Sequence, residues 1–346
     1  MGRRRRRVVR GAALSGGSLG GLGLLGVAVI LIESKLARRA IGEPQADPPR
    51  AAGTWGPTGE RSYVMALLGD SSAAGLGVHR AAETPGVLLA AGLAEAAETE
   101  VRLVNVAVVG ARSSDLDAQI DLVLPDHPDI AVIMVGTNDV THRVRPRIAV
   151  AHLGAAVERL RAEGIQVVVG TCPDLGTIEP IAQPLRWIAR RWSRRLAAAQ
   201  TVATVQAGGR SVSLGDLLGP DFASLPRVMF GPDRFHPSAA GYAAASAALL
   251  PSVCAALGLW PELEPQTAAA EAVLPLGEAA LAAAETPGTE VAAVTTGPRR
   301  GRVAAIQHRI PRLGRGRAPA QPSAALPSDA GHPEGAVPTP APPPHP

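Results

Sequence analysis

The chain has 346 residues and a formal net charge of +4, with 34 Lys or Arg against 30 Asp or Glu. The length admits two average domains, but the basic residues gather at positions 3–7, around 190–195 and near the C-terminus, and Lys35 is the single lysine. Clusters of this kind in an arginine-biased composition argue against a basic folded face, so no nucleic-acid partner is expected.

Residues 11–32 are uncharged, end in LGLLGVAVILI, and follow six arginines at positions 3–7 and 10. At about 1.5 Å per residue, a helix of this length spans the roughly 30 Å hydrocarbon core of a bilayer. The flank ESKLARRAIG offers no small-x-small cleavage pattern, which favours an uncleaved signal anchor over a removed signal peptide. More positive charge precedes the run than follows it, so Met1 stays cytoplasmic and the remainder is extracytoplasmic, or secreted if the segment is cleaved. The run also contains GGSLG, which matches G-x-S-x-G, but that motif works between a strand and a helix, and this serine lies in a glycine-rich apolar stretch. Residues 1–40 thus read as basic terminus and anchor, and the Pro/Gly-rich residues 41–61 as a linker.

From residue 62 short apolar runs alternate with longer amphipathic ones. YVMALL (63–68), VRLVNVAVV (101–109), IAVIMV (130–135) and IQVVVG (165–170) are β-rich and nearly all apolar, as strands buried on both faces are. Between them PGVLLAAGLAEAAE, SSDLDAQIDLVL and PRIAVAHLGAAVERLRAEG carry apolar residues three or four apart. A long helical stretch, Leu185–Gln206, precedes a fifth strand at SVSLGD, and a last helix begins at HPSAAG with Pro237 at its first position. The alternation predicts an α/β domain over residues 62–260, with helices on both faces of a five-stranded parallel sheet. Residues 261–346 hold 16 of the 32 prolines among Ala, Gly and Thr, and read as a disordered tail. Cys172 and Cys254 stand in unlike contexts, far apart; they read as small buried apolar residues, with one exported disulfide as the alternative.

Ligands of a doubly wound sheet lie outside the carboxyl ends of its strands. Three such loops carry unusual polar groups: GDSS (69–72) after the first strand, VGARSSD with Gly110 at the bend after the second, and GTND (136–139) after the third. A fourth element, DRFHP, places Asp233 and His236 just before the last helix. Acyl transfer through serine needs an exposed hydroxyl, a histidine to take its proton, a carboxylate to hold that histidine's other nitrogen, and donors for the developing oxyanion. The three-residue spacing of Asp233 and His236 lets both side chains face one way on a single turn. Asn138 offers a neutral amide donor, and Gly110 a backbone N–H with no side chain in the way.

The ordered set GDS, Gly, GxND and DxxH resembles the SGNH (GDSL-type) hydrolases, a family of esterases, lipases and deacylases. The resemblance spans residues 63 to about 257 and implies a flavodoxin-like three-layer α/β/α fold. Block by block it implies Ser71 as nucleophile, His236 as base and Asp233 as its orienter. The oxyanion donors it implies are the backbone N–H groups of Ser71 and Gly110 and the side chain of Asn138. It calls for no metal or organic cofactor. The expected activity is hydrolysis of carboxylic esters through an acyl-serine, on a small ester, a lipid or an acylated glycan. The rivals are acyl transfer or O-acetyl ester hydrolysis on cell-envelope glycan or lipid, and a non-catalytic envelope interaction protein that works through its tail.

Ser71 alone would read as a turn or cap serine; the other three blocks decide for the nucleophile, and Ser72 keeps the cap role. Asp70 is expected to bond loop backbone, Asp139 to be structural, and His142, beside the third loop, is the rival base. The first block continues SSAAGLGV, small throughout, and aromatic residues make up 3% of the chain. An open, shallow site for short acyl groups is therefore expected. The helix LRWIARRWSRRL reads as a solvated helix with two half-buried tryptophans, with cover for the site or an anionic surface as alternatives.

Overall fold

The computed structural model of the protein describes residues 46–59, 61–215, 225–260, 273–286, 288–294 and 303–308, together with Ile32, Glu33, Lys35 and Leu36. Nine strands form one mixed sheet: β1 (Gly53–Trp55), β2 (Ser62–Gly69), β3 (Glu100–Asn105), β4 (Ile130–Met134), β5 (Gln166–Gly170), β6 (Arg210–Val212), β7 (Val273–Pro275), β8 (Thr289–Val294) and β9 (Val303–His308). The helices are α1 (Ser71–Ala74), α2 (Pro85–Ala97), α3 (Leu116–Val123), α4 (Thr137–Thr141), α5 (Pro146–Ala162), α6 (Leu185–Gln206), α7 (Pro226–Met229), α8 (Ala239–Ala256) and α9 (Leu276–Glu285).

The strand order is β1-β3-β2-β4-β5-β6-β8-β9-β7, and the five strands anticipated from sequence, β3-β2-β4-β5-β6, pair in parallel. Their apolar runs serve two cores. Met65, Leu67, Ile130, Val132, Met134 and Val168 point to the side covered by α2 and α8. Ala66, Leu68, Ala131, Ile133, Val167 and Val169 point to the side covered by α3 and α5. Side chains alternate across a strand, so a strand buried on both faces can have no polar position. The winding direction reverses at β2, between β3 and β4, and this switch point is where a doubly wound sheet opens a crevice.

Helix boundaries follow local chemistry. Thr84 caps α2, accepting from the Val87 N–H at 3.5 Å, with Pro85 at the first helical position. Helix α8, expected to be the last, starts two residues later than expected: Ser238 is its cap, accepting from the Gly241 N–H at 3.2 Å, and Pro237 forms a bridge with Phe230. β3 ends at Asn105, whose Oδ1 accepts from the Ala107 N–H, so the apolar run continues as a loop with Val108 and Val109 exposed.

Two expectations change at the sheet edges. Within the supposed linker, β1 pairs antiparallel with β3, and Ala51 and Trp55 join the core under α2. Within the supposed tail, β8 pairs antiparallel with β6, β9 with β8, and β7 with β9, while α9 buries Leu276, Ala279, Ala280 and Ala283. The sheet is therefore nine-stranded and mixed instead of five-stranded and parallel. The added strands cover both edges of the parallel set, where unpaired N–H and C=O groups would otherwise face solvent. Residues 261–272, 287, 295–302 and 309–346 of the tail lie outside the described residues, as do residues 11–31 of the expected anchor. Among the described residues, one helix, α8, is long and apolar enough to cross a membrane, and more than half of it is buried inside the fold.

β8 is tied to β6 by an ion pair between Arg210 and the buried Glu290, 2.8 Å apart. Breaking a buried pair from one side costs about 3–5 kcal/mol. Arg210→Ala is expected to lower the urea midpoint by a corresponding amount, and an unchanged midpoint would mean that this ion pair contributes nothing to stability.

Candidate active site

β2 leaves the sheet closely packed on β4. A Cβ at Gly69, where φ is +135°, would lie 1.9 Å from the Met134 carbonyl oxygen, so no other residue fits. Asp70 donates its N–H to that same oxygen at 3.0 Å, and its Oδ1 accepts from the Ser72 N–H (2.9 Å) and hydroxyl (2.5 Å). Asp70 is thus the cap of α1, and Ser72, expected to be the cap, is a donor to it. The reason is positional: a cap precedes the first helical residue, and Ser72 is the second. Ser71 opens the helix, with its side chain free of capping work.

The structure brings three of the expected residues into one relay. The Ser71 hydroxyl lies 3.0 Å from His236 Nε2, and His236 Nδ1 lies 2.5 Å from Asp233 Oδ2. The other carboxylate oxygen, Oδ1, accepts from the N–H groups of Phe235 and His236, both at 3.0 Å, which fixes the turn that carries the imidazole. His142 instead ends α4, exposed, with Nδ1 2.9 Å from the Asn138 carbonyl oxygen, and Ser71 contacts His236. His236 is seated from below by the chain just after the nucleophile: a Cβ at Gly77 would meet the Pro237 carbonyl at 2.7 Å and the His236 Cβ at 2.9 Å.

That seat corrects the reading of SSAAGLGV as an open wall. Ala73, Ala74, Leu76 and Val78 are buried, and Tyr242 of α8 donates its hydroxyl to the Leu76 carbonyl at 2.6 Å. The small residues permit backbone to pack on the histidine loop and do not widen the site.

The proposed oxyanion donors stand at the ends of three neighbouring strands: Ser71 after β2, Gly110 after β3, Asn138 after β4. Gly110 is exposed, with φ +87° and open space where a Cβ would be. Asn138 donates one amide hydrogen to the Ala111 carbonyl at 3.0 Å, which leaves its second unused by any described group. Ser113 donates its N–H (3.1 Å) and hydroxyl (2.7 Å) to Asp139, so the second and third loops are braced twice.

Two glutamines at the carboxyl ends of the strands escaped the sequence reading. Gln119 of α3 accepts from the Gly69 N–H at 2.7 Å and donates to the Gly69 carbonyl at 2.9 Å. Gln200 of α6 accepts from the Cys172 N–H at 2.7 Å and donates to the Val135 carbonyl at 2.9 Å, joining the loops after β4 and β5. The signal was available for Gln119, which occupies the apolar stripe with Leu116, Ile120 and Val123. A polar residue on such a stripe needs internal partners.

Charge is distributed unevenly. Burial opposes ionisation of Asp233, but the hydrogen bonds from His236 and the two backbone N–H groups outweigh it and hold its pKa below the ordinary carboxylate value. Burial raises the pKa of Asp70 and of Asp139 despite the hydrogen bonds each accepts. Burial also raises the Cys172 thiol, and Cys172 and Cys254 are both buried and not joined in a disulfide. Among the described residues, no group of three or more His, Cys, Asp or Glu could hold a metal ion. A cavity of about 60 Å³ adjoins the relay, lined by Asp70, Ser72, Phe235, His236, Ile178 and Tyr242 among others. A wider depression of about 630 Å³ lies at the opposite, amino ends of β4 and β5, away from these groups.

Residues 67–244 match the model of the GDSL-like lipase/acylhydrolase family. A GDSL-like esterase of Mycobacterium tuberculosis is 44% identical over 239 residues, covering 65% of this chain and 76% of that protein. Among solved structures, TesA is 24% identical with a TM-score of 0.42, over 57% of this chain and 99% of that one. Axe2, an acetylxylan esterase from Geobacillus stearothermophilus, is 20% identical with a TM-score of 0.41, over 59% and 97%.

Gln119→Leu removes the partner of the Gly69 N–H and one of the two donors to its carbonyl, which keeps Val108, and a buried N–H left unpaired costs about 1–3 kcal/mol. Displacement of the nucleophile turn should also lower kcat by up to about a hundredfold; a variant with wild-type stability and turnover would show the clamp to be dispensable. Asp70 supplies a pH test. Its folded pKa is raised above 3.8, so the folded state binds the proton more tightly than the unfolded chain does. As pH falls from neutral toward 3.8, the wild type should gain stability relative to Asp70→Asn. Parallel urea midpoints for the two proteins across that window would contradict the raised value.

Proposed function

The chain belongs to the GDSL-like lipase/acylhydrolase family and is a carboxylic ester hydrolase, and we propose that Ser71 is its nucleophile, served by His236 and Asp233. The observation that carries this reading is the continuous relay from the Asp233 carboxylate through both ring nitrogens of His236 to the Ser71 hydroxyl.

In the proposed mechanism Ser71 Oγ attacks the ester carbonyl carbon as its proton passes to His236 Nε2. The carbonyl π electrons move to oxygen, where the N–H groups of Ser71 and Gly110 and the free amide hydrogen of Asn138 receive the charge. Asp233 stays ionised, holds Nδ1–H and stabilises the imidazolium. Collapse breaks the bond to the alkoxy oxygen, which takes the proton from Nε2 and leaves as the alcohol. Water then attacks the acyl-serine, gives its proton to the same nitrogen, and the acid departs as Ser71 regains its hydrogen. Short acyl groups are the preferred substrates. The small cavity beside His236 supports this, its space being on the scale of a few water molecules. We place the domain outside the cytoplasmic membrane, held by residues 11–32; the support is the uncharged run and the arginines before it.

With p-nitrophenyl acetate and the full chain, Ser71→Ala should lose about ten-thousand-fold or more in kcat. Ser72→Ala, which removes only a donor to Asp70, should retain most of the turnover. Equal activity in both variants would overturn the assignment of the nucleophile.

A further inference from the structure

The first turns of α6 present an unusual outer face. Trp187 is 58% exposed and Trp192 39%, and the Arg191 guanidinium lies over the Trp187 ring, 5.7 Å from its centroid. Arg190, Arg191 and Arg195 are exposed on the same stretch, and Arg191 and Arg195 form no ion pair among the described residues. Asp174, the carboxylate nearest in the contact network, is buried and already shared by Arg190 and Arg194. Glu179 on the preceding loop is exposed and Glu33 meets the start of the helix, and against them Arg191 and Arg195 leave the outer face positive.

The amino-terminal segment meets this helix. Glu33 accepts from the N–H of Leu185, the first residue of α6, at 2.9 Å, where a carboxylate also suits the helix dipole. Ile32 and Leu36 on either side are 57% and 55% exposed. Glu33 directly follows the uncharged run 11–32, so the end of that run is held two residues in sequence from Trp187.

We propose that the face of α6 bearing Trp187, Arg191 and Arg195, with Trp192 at its flank and Arg190 turned to Asp174, rests on the anionic lipid surface of the bilayer that residues 11–32 enter. The proposal rests on the membrane attachment proposed above. Tryptophan, with an apolar body and one N–H donor, favours the headgroup boundary. Each basic side chain near an anionic leaflet multiplies binding about fivefold. The occupant is argued from charge complementarity and from where the uncharged run ends.

The orientation has a consequence for the site. The inner face of the same turns, Leu185 and Ala189, packs with Ile178, Ile181 and Phe235. Ile178 and Phe235 line the cavity beside His236. One helix diameter, about 10 Å, therefore separates the lipid surface from the site's own wall.

The test uses the full chain with vesicles of phosphatidylcholine, alone or mixed with phosphatidylglycerol, whose acyl chains are brominated. Tryptophan emission should be quenched in the anionic vesicles, and the quenched part should vanish in the Trp187→Phe/Trp192→Phe protein. Arg191→Glu/Arg195→Glu should lose most of the quenching while hydrolysing p-nitrophenyl acetate at the wild-type rate. Absence of quenching overturns the proposal, even if the chain floats with both kinds of vesicle. Trp187 protected from acrylamide yet not quenched by lipid also overturns it, because a protein segment then covers the face. Failure to float with neutral vesicles counts against the anchor alone, and quenching by added anionic vesicles would still support the face.

Discussion

A Cβ at position 69 would fall 1.9 Å from the Met134 carbonyl oxygen, and this approach of β2 to β4 governs the arrangement around it. The Met134 oxygen accepts from the Asp70 N–H, the Gly69 carbonyl accepts from the Val108 N–H, and Gln119 closes on both polar groups of Gly69. With its backbone held on three sides, the chain turns directly into α1. The hydroxyl of Ser71 is then placed by the sheet itself instead of by a mobile loop. Asp70 contributes by capping that turn through its carboxylate, and its raised pKa follows from burial, which outweighs the hydrogen bonds from Ser72.

Around this fixed point the remaining groups are joined to one another before any substrate arrives. Asn138 holds the loop after β3 through Ala111, Ser113 holds Asp139, and Gln200 joins the loops after β4 and β5. Donors restrained in this way need little reorganisation when charge develops on a carbonyl oxygen. The histidine arrives from the far end of the domain and is restrained differently, by backbone packing on Gly77 and by the carboxylate of its own turn.

The parallel sheet was legible because strands buried on both faces cannot alternate, and β2, β4 and β5 show unbroken apolar runs for that reason. The relay was legible because Asp233 and His236 share one turn and the remaining groups follow strands. What the residues concealed has physical causes too. Smallness at 73–77 is ambiguous, since alanine and glycine suit both an open wall and a tight backbone contact, and only the position of His236 separates the two. The cap role of Ser72 failed because helix α1 begins at Ser71, two residues earlier than a cap at Ser72 requires. Strands β1 and β7–β9 are short or alanine-rich, bordered by Gly and Pro, and gain their pairing from the edges of a sheet that local pattern cannot reveal. Gln119 betrays itself only when the helical stripe is drawn.

The contact between Gly77 and the histidine loop joins segments 159 residues apart in the chain, and the hydrogen bond between Ser71 and His236 spans 165. Contacts of such separation form late, because the entropy of closing long loops must be met first. Every partial fold of this chain that lacks α8 and the turn before it therefore has a serine without its base. A chain threaded outward through a membrane in order of sequence would carry its nucleophile across well ahead of the histidine, and would stay chemically silent until the last third of the domain had followed and closed over the first.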